Sequence, residues 1–116
     1  LVLIDAPCSG TGTWRRNPEL RWRMTPKRLE HTTELQQRLI DLGSELVKPG
    51  GRLVYAVCSL LDAEGGEQAE KFLLRHPGWR EISVDLPIGR QYRKGILLSP
   101  YHDGTDGFYF SSLEKL

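Results

Sequence analysis

The chain has 116 residues, 39% hydrophobic and 27% charged, with a formal net charge of +1. That length fits one domain of about 100–150 residues, and the composition excludes collagen, coiled coil and disordered tail. No run approaches the roughly 18 apolar residues of a membrane span. The opening Leu1–Ile4 run reaches Asp5 too soon for a signal peptide. Two cysteines make no disulfide framework, which points to a reducing, cytoplasmic setting. The absence of an initiator Met, with a strand from the first residue, leads to the expectation of a fragment.

In chain order, Leu1 to Asp5 reads as a strand buried on both faces, followed by a tight segment with Pro7, Gly10 and Gly12. A basic, irregular stretch with Trp14 and Trp22 comes next; Arg15 to Arg28 holds six basic residues against one acidic, Glu19. Thr25-Pro26 predicts a helix N-cap with proline in the first turn. In the helix, Leu35, Leu39, Leu42 and Leu46 recur at spacings of four, three and four, which predicts one apolar stripe. Lys48-Pro49-Gly50-Gly51 stops it. Arg52 to Val57 reads as a second buried strand. Glu67 to Arg75 reads as a helix with Ala69, Phe72 and Leu73 inward, and about 80–85, 96–99 and 107–113 as shorter strands.

A strand, a crossover helix and a second strand normally form a right-handed parallel unit. Cys8 follows the first strand and Cys58 the second. Neighbouring strands would put both thiols in the crevice beyond their carboxyl ends, where open α/β sheets bind ligands. A lone free cysteine is commonly a small buried hydrophobe; two converging ones, each followed by serine, point to a site. Zinc is disfavoured because no second Cys or His stands at ligand spacing, and C-x-x-C is absent. A phosphatase loop would need arginine where Trp14 stands, and Gly10-x-Gly12 lacks the third glycine of a dinucleotide fingerprint.

Asp5-Ala6-Pro7-Cys8-Ser9-Gly10-Thr11-Gly12 resembles motif IV of the RNA cytosine-5 methyltransferases, and Tyr55-Ala56-Val57-Cys58-Ser59-Leu60 resembles their motif VI. Arg15-Arg16-Asn17-Pro18-Glu19 is similar to the arginine-rich segment after motif IV. Tyr101-His102-Asp103-Gly104-Thr105-Asp106-Gly107-Phe108-Tyr109 is similar to the last motif. Together these segments resemble the bacterial Fmu/Sun type, which methylates small-subunit ribosomal RNA. Val57 stands where the family has threonine, and the acidic segment Asp62-Ala63-Glu64-Gly65-Gly66-Glu67 leaves open whether Glu64 or Glu67 fills the family position.

The resemblance implies an α/β fold: a partial class I (Rossmann-like) methyltransferase, the C-terminal half of the sheet with flanking helices, over residues 1–116. The half that holds most of the S-adenosylmethionine is expected to be absent, and the fragment alone inactive. It further implies Cys58 as nucleophile on carbon 6 of cytosine, Cys8 in product release, and Asp5 lining the cofactor and target-base pocket. RNA contact is expected at Pro7, Arg15, Arg16, Arg21 and Arg23, with no metal and no membrane. Cysteine suits the chemistry because it is intrinsically very nucleophilic, and nearby positive charge raises its thiolate fraction. Two alternatives stay open: an RNA-binding fragment without catalysis, and a DNA cytosine-5 methyltransferase, in which the Pro-Cys cysteine would attack. His102 and Asp106 either orient a base or close a turn.

Overall fold

The computed structural model describes residues 1–14 and 16–116, with the side chains of Leu20 and Arg23 outside the description. The elements are β1 (Val2–Asp5), two 3-10 turns (Thr11–Thr13 and Pro18–Arg23), α1 (Pro26–Glu45), β2 (Arg52–Val57), α2 (Gly66–Arg75), β3 (Trp79–Ile82), β4 (Arg90–Tyr92), β5 (Gly95–Leu98), α3 (Pro100–Asp103) and β6 (Phe108–Lys115). Thr25 caps α1 as expected, its side chain accepting from the Arg28 N–H.

The strands form one six-stranded sheet in the order β1-β2-β6-β5-β4, with β3 also on β6. β1 and β2 are parallel neighbours, Val2 opposite Leu53 through Asp5 opposite Ala56. All other pairs are antiparallel. α1 packs on β1, β2 and α2, and α2 packs on β3 and β6. Ile40, Val47, Leu53, Tyr55, Val57, Phe72, Trp79, Tyr109 and Leu113 build the core between helices and sheet. β2 runs through its middle because Leu, Val and Tyr fit a pleated surface covered by neighbours. No helix among the described residues is long and apolar enough to cross a membrane.

Three expectations are corrected. β1 is an edge strand rather than one buried on both faces: Val2 and Ile4 are half-buried while Leu3 is 66% exposed. The leucine stripe is not the buried seam of α1. Leu42 and Leu46 are exposed, and Gln36, Ile40, Gly43 and Ser44 are buried. A Cβ on Gly43 would meet Ile4 Cδ1 at 2.7 Å, so the helix lies against the strand where its side chains are smallest. The third correction is β4, a strand absent from the expected set. It hairpins into β5 through Arg93 and Lys94, both at positive φ (42° and 67°), where hairpins favour Asn and Gly. Arg93 is held there by Glu70 at 2.8 and 3.1 Å and Asp62 at 3.2 Å. The Arg93 carbonyl accepts from the Tyr109 hydroxyl at 2.7 Å.

Candidate functional site

The parallel register of β1 and β2 brings Cys8 and Cys58 together at the carboxyl edge of the sheet. Ala6 N–H donates to Ala56 O at 2.9 Å, continuing the pairing one step past β1. Both thiols are free and half-buried. The Cys8 sulfur accepts backbone N–H groups from Gly10 and from Cys58 itself, so the first thiol rests against the backbone of the second.

Neither thiol is activated in this state. Burial pushes Cys8 up, with help from the Glu64 charge, against the pull of the Gly10 and Cys58 N–H groups. Burial also pushes Cys58 up; the Asp5 and Asp106 carboxylates add to this and the Arg16 guanidinium opposes it. Enrichment of thiolate by neighbouring cations is therefore not what surrounds Cys58, because two carboxylates outweigh one guanidinium. Alkylation of Cys58 by iodoacetamide is expected to be slow at pH 7. It should climb with pH to a midpoint above the ordinary thiol value of about 8.5. Asp106→Asn removes a negative charge and should lower that midpoint, whereas Arg16→Ala should raise it. Mass spectrometry of the alkylated peptide reads the rate, and a midpoint below that of free cysteine would contradict this picture.

Three loops are fastened around the thiols. Gly12 N–H donates to Cys58 O at 3.1 Å, and Gly107 N–H donates to Gly12 O at 2.7 Å. Leu60 N–H donates to Thr11 Oγ1 at 2.8 Å, and the Thr11 and Ser59 hydroxyls are 3.1 Å apart. Arg16 Nε meets Asp106 Oδ2 at 2.6 Å, which ties the basic stretch to the last motif. Asp106 thus pairs with Arg16, and Asp103 closes the turn instead, accepting from the Ser99 and Gly89 N–H groups at 3.0 and 2.9 Å. His102 is exposed, its ring edge-on to Tyr101 at 4.8 Å. Phe108 is half-buried against Phe110.

The remaining expected residues are dispersed. Asp5 is exposed at the end of β1, and Pro7, also exposed, offers its carbonyl to Gln36 Nε2 at 2.9 Å. Arg21 is exposed with its guanidinium 4.9 Å from the Trp22 ring centre, and Trp22 is 78% exposed. Trp14 is half-buried, so Trp22 is the freer stacking surface of the two. Arg15 and the Arg23 side chain lie outside the described residues. An open hollow of about 600 Å³ borders Cys8, lined also by Met24, Lys27, Arg28 and His31. His31 carried no signal in the sequence, yet α1 turns it toward this hollow. Among the described residues no group of three His, Cys, Asp or Glu could hold a metal ion.

The choice left open between Glu64 and Glu67 is settled by their surroundings. The Glu64 side chain is fully buried and accepts from Ser9 N–H at 2.8 Å, Ser9 Oγ at 2.5 Å, Ser59 Oγ at 2.6 Å and Gln36 Nε2 at 3.2 Å. Glu67 instead faces solvent near Lys71 at 3.9 Å. Of the two acidic candidates, Glu64 is the one that reaches the cysteine loops.

A helix-flanked sheet with a parallel pair ending in two thiols is part of a Rossmann-like methyltransferase fold. The crystal structure of PH0851 overlays it with a TM-score of 0.91 at 36% identity, covering 98% of this chain and 26% of that one. The crystal structure of NSun6 from Pyrococcus horikoshii with SFG overlays with a TM-score of 0.82 at 31% identity, covering 97% of this chain and 29% of that one. The chain belongs to the 16S rRNA methyltransferase RsmB/F family, whose model matches residues 1–114. It is 43% identical to a probable ribosomal RNA small subunit methyltransferase B of Synechocystis, over 98% of this chain and 27% of the relative. It is 40% identical to ribosomal RNA small subunit methyltransferase B of Thermus thermophilus, over 99% of this chain and 29% of the relative. The chain thus spans less than a third of the curated relatives it matches.

Proposed function

We propose that this chain is the cysteine-bearing part of an enzyme that methylates carbon 5 of cytosine in RNA, small-subunit ribosomal RNA being the substrate. The observation that carries this reading is the meeting of Cys8 and Cys58 at the ends of two parallel strands, in a member of the RsmB/F family. S-adenosylmethionine, of which the SFG in the NSun6 structure is an analogue, supplies the methyl group when bound. Asp5 fits such a donor. It is an exposed carboxylate close enough to Cys58 to raise its pKa, and it suits a sulfonium cation. The other residues that hold the donor lie outside these 116, so residues 1–116 alone should transfer no methyl group.

Carbon 5 of cytosine is a poor nucleophile until carbon 6 is attacked. The Cys58 thiolate adds there, forming a carbon–sulfur bond and leaving electron density on carbon 5. After methylation, the carbon-5 proton must be removed and the carbon–sulfur bond must break to return the Cys58 thiolate. Cys8, whose sulfur rests against the Cys58 backbone, assists this release. The target base has to leave its stack to expose carbon 6. The hollow beside Cys8, rimmed by Lys27, Arg28 and His31, offers cationic contact to the flanking phosphates. The exposed Arg21–Trp22 pair offers charge and a stacking surface together. Two free thiols support a reducing, cytoplasmic setting for this chemistry.

Adduct trapping on the complete enzyme tests the assignment. Wild type, Cys8→Ala and Cys58→Ala are incubated with S-adenosylmethionine and 16S rRNA, then resolved on a denaturing gel. Cys8→Ala should accumulate a covalent protein–RNA band, and Cys58→Ala should give neither band nor methylated product. The reverse pattern would make Cys8 the nucleophile. Turnover by Cys58→Ala would remove the covalent mechanism altogether.

A further inference from the structure

Glu64 takes no part in the chemistry above, yet it occupies the most demanding position near it. Removing a carboxylate from water costs several kcal/mol unless donors replace the lost hydration. Glu64 is 0% exposed, and four donors meet it. Where they come from matters more than their number. Ser9 is the residue after Cys8, and Ser59 is the residue after Cys58. Oε1 accepts both serine hydroxyls, at 2.5 and 2.6 Å, so one atom is shared by the two cysteine loops.

The surrounding ties keep that atom still. Gln36, from α1, donates to Glu64 Oε2 and also to the carbonyl of Pro7, the residue before Cys8. The Tyr55 hydroxyl, from β2, donates to the Glu64 carbonyl at 2.5 Å. The Thr11 and Ser59 hydroxyls cross-brace the loops at 3.1 Å. A carboxylate suits this position because both oxygens only accept, with about four lone-pair sites for four donors. Glutamine there would present one acceptor oxygen and an NH₂ group directed at donors, and the Ser9 backbone N–H cannot reverse its role.

We propose that Glu64 is a positioning residue that sets the separation of the Cys8 and Cys58 thiols by accepting hydrogen bonds from the serine after each. Its relevance to catalysis rests on the two-cysteine reading above; the geometric claim does not.

The test uses dibromobimane, a short bifunctional thiol reagent that becomes strongly fluorescent once both ends are bound. The complete protein is treated as wild type, Cys8→Ala, Cys58→Ala, Glu64→Gln and the double variant Ser9→Ala/Ser59→Ala. Wild type should be bridged, and the two alanine controls should not. In Glu64→Gln the second alkylation should slow at least tenfold relative to the first, while the first changes less than threefold. That ratio separates positioning from a general loss of fold, which would speed both steps. In methylation assays the same variant should lose at least tenfold in kcat with KM for RNA unchanged. If Glu64→Gln does not fold, the double serine variant carries the test, since it leaves the carboxylate with the Ser9 N–H and Gln36. Wild-type bridging in every folded variant would overturn the proposal. Slowed bridging in Glu64→Gln, alongside a wild-type protein that transfers no methyl group, would leave the clamp standing and remove the methyltransferase reading.

Discussion

Alanine at position 12 is expected to dismantle the two-cysteine geometry. A Cβ built on Gly12 lies 2.0 Å from the Gly107 oxygen, 2.6 Å from the Gly107 carbonyl carbon and 2.9 Å from the Cys58 oxygen. All three are backbone atoms, so no rotamer change relieves the contact. With carbon atoms at rest about 3.5–4.0 Å apart, the loop of Gly107 or that of Cys58 must withdraw by more than an ångström. The hydrogen bond joining Gly12 to the displaced loop is lost with it. Overpacking costs about 1–3 kcal/mol, and each lost hydrogen bond costs about 1 kcal/mol. Thermal denaturation should show Tm lower by about 10 °C or more, at roughly 4–8 °C per kcal/mol for a domain of this size. Methyl transfer by the complete enzyme should fall about 10²-fold, the loss that an ångström of misplacement brings. Gly78→Ala is the control: nothing lies within 4 Å of its Cβ, and its stability should stay near wild type.

Phe72→Ala is expected to be the most destabilising change remote from the cysteines. Phe72 is fully buried, stacked on His76 with ring centres 4.3 Å apart and edge-on to Trp79 at 5.2 Å. Truncating such a ring costs about 3–5 kcal/mol, a large share of the roughly 5–15 kcal/mol that holds a domain together. The damage spreads through His76, whose Nε2 lies 3.0 Å from Asp41 on α1, beside the Arg75–Asp41 ion pair at 2.9 Å. Loss of the Phe72 ring therefore frees the end of α2 from the core and loosens its attachment to α1. Denaturant titration should show the midpoint falling sharply with the slope unchanged. Leu74→Ala, two residues on and 83% exposed, should shift it by less than about 0.5 kcal/mol.

The order of strands and helices was legible because hydrophobic runs and Gly/Pro stops are local signals; β2 spans Arg52–Val57 as read. The convergence of the cysteines was legible too, since a parallel neighbouring pair forces it. The side of α1 that faces the sheet was not. Leucine periodicity suggested one stripe, but burial of Gln36 depends on partners 28 and 29 residues away, Glu64 and Pro7. Gly43 and Ser44 are buried because closeness to β1 needs small side chains there. β4 escaped notice for a similar reason: its turn has neither glycine nor asparagine, and acidic residues on or just before α2 hold Arg93 in place. The choice between Glu64 and Glu67 stays open in the sequence, since nothing local distinguishes a buried carboxylate whose donors come from positions 9, 36 and 59.

β6 joins strands that come before it in the chain. One of its edges pairs with β2 along Arg52–Val57, and the other is shared between β5, at Phe108–Phe110, and β3, at Ser112–Lys115. Without it, the β1–β2 ribbon and the β4–β5 hairpin have no strand in common. The two parts of the sheet are therefore joined only through Phe108–Lys115. Removal of β6 would leave open strand edges on both parts, a template for aggregation.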